Sequence, residues 1–326
     1  MKKKASTARK LRLGLIGTGI AAKELYLPAL RTLAQRIELV ACANRRRAKA
    51  EAYAKLAGIP TVVDSAEELL ALPEVDAVIL SLPIEAQPAY VLKALAAGKP
   101  VLSEKPIAPS LAAGRRLVKA AKRYDVPWLV GENFAFMPHV HELARWVEKG
   151  RLGTVRLVEA VQMTMMNREN PYFNTAWRQK PEFVGGFVVD GGVHVAEVVR
   201  RCFGMPTSVQ SLTAQFDPAL LPIDTAVAVM KLESGPLATW TSCFSARYDG
   251  PMLRVYGSKA NAELFWSRAA LRDAKGKETV FESEVDSFAA QFEHFADVVQ
   301  RGAALAFTPE EALDDLAMLS AIVKQR

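Results

Sequence analysis

The sequence predicts an α/β protein in which a doubly wound parallel sheet is followed by an α+β domain with an open, mostly antiparallel sheet. Three observations predict it. From Leu11 to Gly131 short β-branched runs alternate with longer helical patterns, as in a parallel sheet with crossover helices. A glycine-rich turn stands between the first run and the first helical pattern. Beyond Gly131 strand-like segments follow one another without helices between them, the pattern of an antiparallel sheet.

Strands are predicted at 11–17, 37–43, 61–63, 76–82, 99–103 and 126–130, with helices near 20–35, 45–57, 65–72, 85–97 and 110–124. Gly58 and Gly98 fall where helices should stop, and Asp64 or Ser65 and Ser110 suit helix starts. This rhythm marks residues 11–131 as one dinucleotide-type domain. Residues 132–326 are expected to form a substrate-binding and oligomerisation domain. Its helix at 138–149 precedes strand-like segments at 154–166, 207–216, 224–233, 236–247 and 251–257, with helices near 190–203, 288–301 and 308–325. The carboxyl-terminal helices are allowed to pack back on the first domain.

Composition narrows the class. Half of the 326 residues are apolar and 24% are charged, enough for two cores. Mean hydropathy is +0.07, and no uninterrupted apolar run approaches the roughly 18 residues of a spanning helix. The start Met1-Lys2-Lys3-Lys4 has the charge of a signal n-region, but Leu11–Ile20 contains Arg12 and three glycines, which argues against a secretory signal. Cys42, Cys202 and Cys243 are odd in number and far apart, which argues for a reducing cytoplasm and against a disulfide framework or a cysteine-bound zinc. Of the net charge of +7, six positive charges lie in the first twelve residues, so the rest carries only +1. Residues 1–10 are expected to be a solvated, disordered basic arm, and neither nucleic acid nor membrane is an expected partner. His139 and His141 diverge on a helix and no carboxylate or cysteine cluster accompanies them, so no metal site is expected.

Gly17-Thr18-Gly19-Ile20-Ala21-Ala22 fits the dinucleotide fingerprint in its required strand–turn–helix setting. Its glycines allow a tight turn and close approach of a pyrophosphate to a helix start. At the end of the second strand, where an NAD site usually places a carboxylate, the chain has Asn44-Arg45-Arg46-Arg47. A neutral side chain followed by arginines tolerates or attracts a 2′-phosphate, so NADP(H) is expected over NAD(H). The alternative is that Arg46 and Arg47 form only a solvated first turn of the helix.

Leu102-Ser103-Glu104-Lys105-Pro106 ends the fifth strand and aims Lys105 at the ligand edge of such a sheet. With the preceding Ala97-Gly98-Lys99-Pro100, this stretch resembles the family of glucose–fructose oxidoreductase, inositol dehydrogenase and their relatives. A second motif resembles the same family: Gly185-Gly186-Phe187-Val188-Val189-Asp190-Gly191-Gly192-Val193-His194, with Trp177-Arg178 ahead of it. The resemblance runs from residue 11 to the end and implies a hydride-transferring oxidoreductase with Lys105, Asp190 and His194 as catalytic residues. It implies cofactor contacts from the fingerprint, Asn44, Arg45, Arg46, Ser81, Leu82, Pro83, Gln87, Glu104, Lys105, Trp177 and Arg178. Oxidising an alcohol needs a base for the hydroxyl proton and a positive group for the developing charge. His194 is assigned as the base and Lys105 as the cation, with Asp190 orienting substrate or offsetting the lysine. Which of Lys105 and His194 carries the proton stays open.

Two departures concern specificity. Ile84 and Gln87 stand where many relatives carry Asn and His, and Glu197 stands where Asp is common. The resemblance therefore leaves the substrate as a sugar, polyol or cyclic alcohol, and Asn133, Tyr172, Asn174, Asp190 and His194 are candidate substrate contacts. The polar and aromatic segment 167–174 suits a sugar's hydroxyl edge and apolar face, with a plain surface loop of the same composition as the alternative. The resemblance also implies a homodimer or homotetramer through the second sheet, for which Met163, Met165, Trp240 and Phe244 are candidate face residues, the alternative being that they pack under helices of the same chain. The rival reading is a non-catalytic NAD(P)-binding regulator of the same fold.

Overall fold

The computed structural model describes residues 9–324, which form two compact units. The first runs through Glu104 and adds Lys119–Gly131 and Phe288–Ala306; the second takes Lys105–Val118, Glu132–Ser287 and the chain from Phe307. Of the expected basic arm, residues 1–8 lie outside the described residues. Arg9, counted with that arm, instead pairs with Asp76 at 2.8 Å, and its carbonyl accepts from Gln300.

The first unit is built on six strands: β1 (Leu11–Ile16), β2 (Ile37–Ala43), β3 (Thr61–Val63), β4 (Ala77–Leu80), β5 (Val101–Glu104) and β6 (Trp128–Gly131). All pair in parallel in the order β3-β2-β1-β4-β5-β6, the doubly wound arrangement expected from the rhythm of the sequence. Every residue of β4 and β6 is buried, as strands covered on both faces require. The helices of this stretch are α1 (Leu27–Thr32), α2 (Arg47–Ala57), α3 (Ala66–Ala71), α4 (Gln87–Ala96) and α5 (Leu111–Ala121). Ser65 caps α3 by accepting from the Glu68 N–H, and Gly58 ends α2 in the left-handed region at φ 72°. The expected helix at 20–35 is less regular. It widens into a π turn at Ala22–Tyr26 ahead of α1, where Pro28 supplies no N–H to continue the ordinary ladder.

The second unit contains α6 (Pro138–Glu148), β7 (Val155–Met163), α7 (Ala176–Gln179), α8 (Gly186–Phe203), β8 (Pro206–Ala214), β9 (Thr225–Leu232), β10 (Leu237–Cys243) and β11 (Leu253–Gly257). Three further strands follow, β12 (Ala260–Leu264), β13 (Arg268–Asp273) and β14 (Glu278–Glu282), and this unit ends with α10 (Pro309–Ile322); between them α9 (Ser287–Arg301) belongs from Phe288 to the first unit. The sheet order is β14-β13-β12-β11-β7-β10-β9-β8, antiparallel except for the β7–β10 pair. Strands β12–β14 were not expected from the sequence; in β12 and β13, Ala-Asn-Ala-Glu-Leu and Arg-Ala-Ala-Leu-Arg-Asp, strand propensity is weak. Their pairing supplies what propensity lacks, including the cross-strand pairs Arg254–Glu263 and Arg272–Glu278. From Phe288 the chain returns to the first unit, where Arg36 holds Glu293 and Asp297 of α9, each at 2.7 Å.

In the second unit α8 packs on β7, β9 and β10, with α10 beside it. The faces of that sheet correct one expectation. Trp240 and Phe244, proposed for an exposed face, are buried. Alternation in β9 instead turns Val227 and Val229 outward, next to Leu212 of β8 and Thr239 and Thr241 of β10. No helix among the described residues is long and apolar enough to cross a membrane.

The start of α8 depends on Gly185 and Gly186, at φ 79° and 52°, four residues earlier than the helix expected at 190. A Cβ on Gly186 would stand 2.2 Å from the Leu221 carbonyl oxygen. Gly186→Ala should therefore destabilise the fold by about 1–3 kcal/mol, read as a lower urea midpoint at unchanged slope.

Candidate active site

At the carboxyl end of the six-stranded sheet, Gly17 turns the chain at φ 95°, and its N–H donates to the Ala43 carbonyl. A Cβ there would sit 2.2 Å from the Ser81 carbonyl oxygen, so the turn after β4, Ser81-Leu82-Pro83, leaves space for glycine alone. Gly19 differs: a Cβ there would meet no atom within 4 Å. Packing does not demand glycine at 19, whereas an approaching phosphate would need the space that the missing side chain leaves. Ile20 and Ala21 are half-buried, and Ala22 is fully buried where helix and strand pack.

Asn44 ties this turn to the end of β2. Its amide donates to Thr18 Oγ1 at 2.9 Å, and its Oδ1 accepts from the Arg46 N–H at 3.0 Å. The three arginines that follow separate in role. Arg47 pairs with Glu51 at 2.9 Å and Asp64 at 2.5 Å, whereas Arg45 and Arg46 are exposed and make no side-chain hydrogen bond or ion pair among the described residues. Gln87, the first residue of α4, is buried. Glu104, the last residue of β5, accepts a hydrogen bond from the Tyr26 hydroxyl, and the Tyr26 ring meets Phe292 of α9 edge-on at 5.2 Å.

The second cluster lies in the second unit and is organised by α8. Asp190, 5% exposed, receives Arg178 Nε on Oδ2 at 2.7 Å and Lys105 Nζ on Oδ1 at 3.1 Å. Lys105 also donates to the Asp190 main-chain carbonyl at 2.7 Å, and its peptide bond to Pro106 is cis. Burial by itself would raise the Asp190 carboxyl; the two cations outweigh it and hold the group at about 2. Arg178 is fixed in turn by aromatic faces, 3.8 Å from the Trp177 ring and 5.0 Å from that of Tyr172.

One helical turn beyond Asp190, His194 is held as firmly by a different partner. Its Nδ1 lies 2.7 Å from Oε1 of Glu132, which is 1% exposed and also accepts the Phe134 N–H at 3.0 Å. The Phe134 ring stacks on the imidazole with centroids 4.6 Å apart and an interplanar angle of 18°. Further along α8, Glu197 is paired with Arg201; burial lifts its carboxyl to about 7, against the pull of Arg201 and with an added push from Glu132.

The structure thus gathers Lys105, Asp190, His194, Trp177, Arg178 and Tyr172 in one unit. Asn133 is buried and donates to Ser287 Oγ at 2.9 Å, and Asn174 is exposed and donates to the Arg168 carbonyl. Glu132 was missed in the sequence, where it follows the apolar run Trp128-Leu129-Val130-Gly131; an acid at the carboxyl end of a buried strand was the available signal.

Because Asp190 titrates lower folded than unfolded, its ionic contribution to stability is complete above about pH 4 and is lost as pH falls toward 2. Asp190→Asn should cost about 3 kcal/mol at pH 7, since two cations lose their counter-charge. Urea titrations should show the gap to wild type closing as pH falls from 4 to 2.

Residues 11–132 match the model of the oxidoreductase family described as an NAD-binding Rossmann fold, and residues 144–326 match that family's C-terminal alpha/beta domain. Among solved structures, an oxidoreductase from Thermotoga maritima is 34% identical with a TM-score of 0.92, covering 97% of this chain and 96% of that one. A dehydrogenase from Fusarium mangiferae is 31% identical over 343 residues, covering 95% of each protein. The 1,5-anhydro-D-fructose reductase of Ensifer adhaerens is 26% identical over 328 residues, 96% of this chain and 95% of that protein. With both family domains matched in order over nearly all of its described length, the chain belongs to this oxidoreductase family and is an NAD(P)-dependent oxidoreductase.

Proposed function

We propose that the protein moves hydride between NADP(H) and a carbon bearing a hydroxyl in a sugar, polyol or cyclic alcohol, with Lys105 and His194 as the oxyanion-stabilising and acid–base pair. The observation that carries this reading is the arrangement on α8, where Asp190, which holds the Lys105 cation, and His194, whose imidazole is held by Glu132, stand one turn apart. The likeness to 1,5-anhydro-D-fructose reductase supports a sugar-like substrate.

When bound, the nicotinamide supplies the hydride acceptor or donor. The chain supplies the rest. His194 removes the hydroxyl proton or returns it, and Lys105 steadies the charge that grows on the oxygen. Asp190, itself held by Arg178, fixes the lysine, and Tyr172 flanks that cluster as a substrate contact. Asn133 and Asn174 keep their proposed substrate role through their remaining polar atoms. Preference for NADP(H) rests on Asn44 in place of a carboxylate and on the uncommitted guanidinium groups of Arg45 and Arg46.

The outward apolar row of Leu212, Val227 and Val229 supports assembly as a homodimer or homotetramer through the second sheet. The unpaired cysteines among the described residues support a cytoplasmic setting.

Fluorescence titration should show tighter binding of NADPH than of NADH, with Arg45→Ala and Arg46→Ala each weakening NADPH about tenfold and leaving NADH unchanged. Equal binding of both would remove the preference. Gly19→Ala should weaken both dinucleotides while leaving thermal stability intact, because its Cβ meets no protein atom.

With a panel of sugars and polyols, followed at the reduced-nicotinamide absorbance, Lys105→Ala and His194→Ala should each lower turnover by about a hundredfold or more. Tight dinucleotide binding with no turnover on any member of the panel would instead favour the regulator.

A further inference from the structure

We propose that Glu132 is the positioning residue of His194: it holds the proton on Nδ1, presents Nε2 as the basic atom, and balances the charge of the imidazolium formed when Nε2 takes the substrate's proton. This rests on the reading of His194 as the base. Three contacts support it independently of any ligand.

Nδ1 stands 2.7 Å from Oε1, a short distance for a nitrogen donor and a carboxylate. The same oxygen accepts the Phe134 N–H, a group that can only donate, which marks Oε1 as an acceptor and Nδ1 as the protonated nitrogen. The Phe134 ring, stacked on the imidazole, hinders the imidazole from turning out of its plane, and Trp266 meets Phe134 edge-on at 5.4 Å. Thus one residue, Phe134, fixes both the carboxylate, through its main chain, and the imidazole, through its side chain.

The charge balance is also local. Glu132 is 1% exposed, and no Lys or Arg side chain bonds it among the described residues, so the imidazolium formed when His194 takes a proton is the cation its carboxylate meets directly. The cations paired with the acids of α8 and α10 are committed elsewhere: Lys105 and Arg178 to Asp190, Arg201 to Glu197, and Arg200 to Asp315 and Glu311. In the oxidising direction the substrate O–H bond breaks as Nε2–H forms, and the C–H electron pair leaves as hydride to the nicotinamide. The alcohol becomes a carbonyl, the dinucleotide is reduced, and the imidazolium lies against the Glu132 carboxylate. In the reducing direction Nε2 gives the proton back.

The test begins without cofactor. In protein labelled with 15N-histidine, His194, identified by its loss in His194→Ala, should show a protonated Nδ1 and an unprotonated Nε2 at pH 8. A protonated Nε2 in the wild type would overturn the proposal even if no Glu132 variant folds. Glu132→Gln should give a mixture of tautomers and lower kcat about a hundredfold or more with KM changed less than threefold, as expected when an orienting carboxylate is lost. Glu132→Asp should recover part of kcat. Full kcat in a folded Glu132→Gln, with His194→Ala inactive, would refute the positioning role and leave His194 as base. Full activity in His194→Ala would overturn the underlying reading instead.

Discussion

A carboxylate buried in the first turns of a helix cannot remain charged without partners, and Asp190 meets this constraint with two cations from different parts of the chain. Lys105 comes from the residue after β5, and Arg178 comes from the short α7 helix. Each would carry its own desolvation cost alone, so their geometry is set by the acid between them. The Gly185–Gly186 turn begins α8 early enough to put Asp190 inside it, and the aromatic faces of Trp177 and Tyr172 hold Arg178 in place. Helix start, loop and strand end are thereby tied to one carboxyl group.

The same helix carries the complementary arrangement one turn later. At Asp190 an anion is surrounded by cations; at His194 a titratable ring is backed by an anion. Two adjacent sites of opposite polarity are what the removal of a proton and the steadying of an alkoxide require. In both arrangements the holding groups belong to the chain itself, so the orientation of the charged and polar atoms is set by its own hydrogen bonds.

The nucleotide end of the first unit follows a different logic, in which space counts more than charge. Gly17 is forced by the neighbouring strand turn, whereas Gly19 leaves an opening that no packing consideration explains. Of the three arginines after Asn44, ion pairing with Asp64 and Glu51 withdraws Arg47. Composition treats the three as equivalent, and only the fold distinguishes them.

The parallel half of the fold was legible in the sequence because a strand buried on both faces is written as an apolar run, and its helices end at glycines such as Gly58. The fingerprint, Lys105 and the Asp190–His194 spacing were legible for a similar reason, since each is a local pattern within one turn or helix. Strands β12–β14 were not: the Ala-containing runs of β12 and β13 have weak strand propensity of their own and extend only through the hairpin pairing that joins β11 to β14. Which face of the second sheet is open was also undecided, since alternation shows that Trp240 and Val229 belong to opposite classes only after pairing fixes the register. The partners of the site residues lie further still from sequence. Glu132 stands 62 residues before His194 and Lys105 85 before Asp190, and hydrogen bonds over such separations have no local signal. The sequence alone determined which chemical groups the protein has and in which elements they stand; tertiary structure decided which acid belongs to which base, because pairing depends on distances that only folding closes.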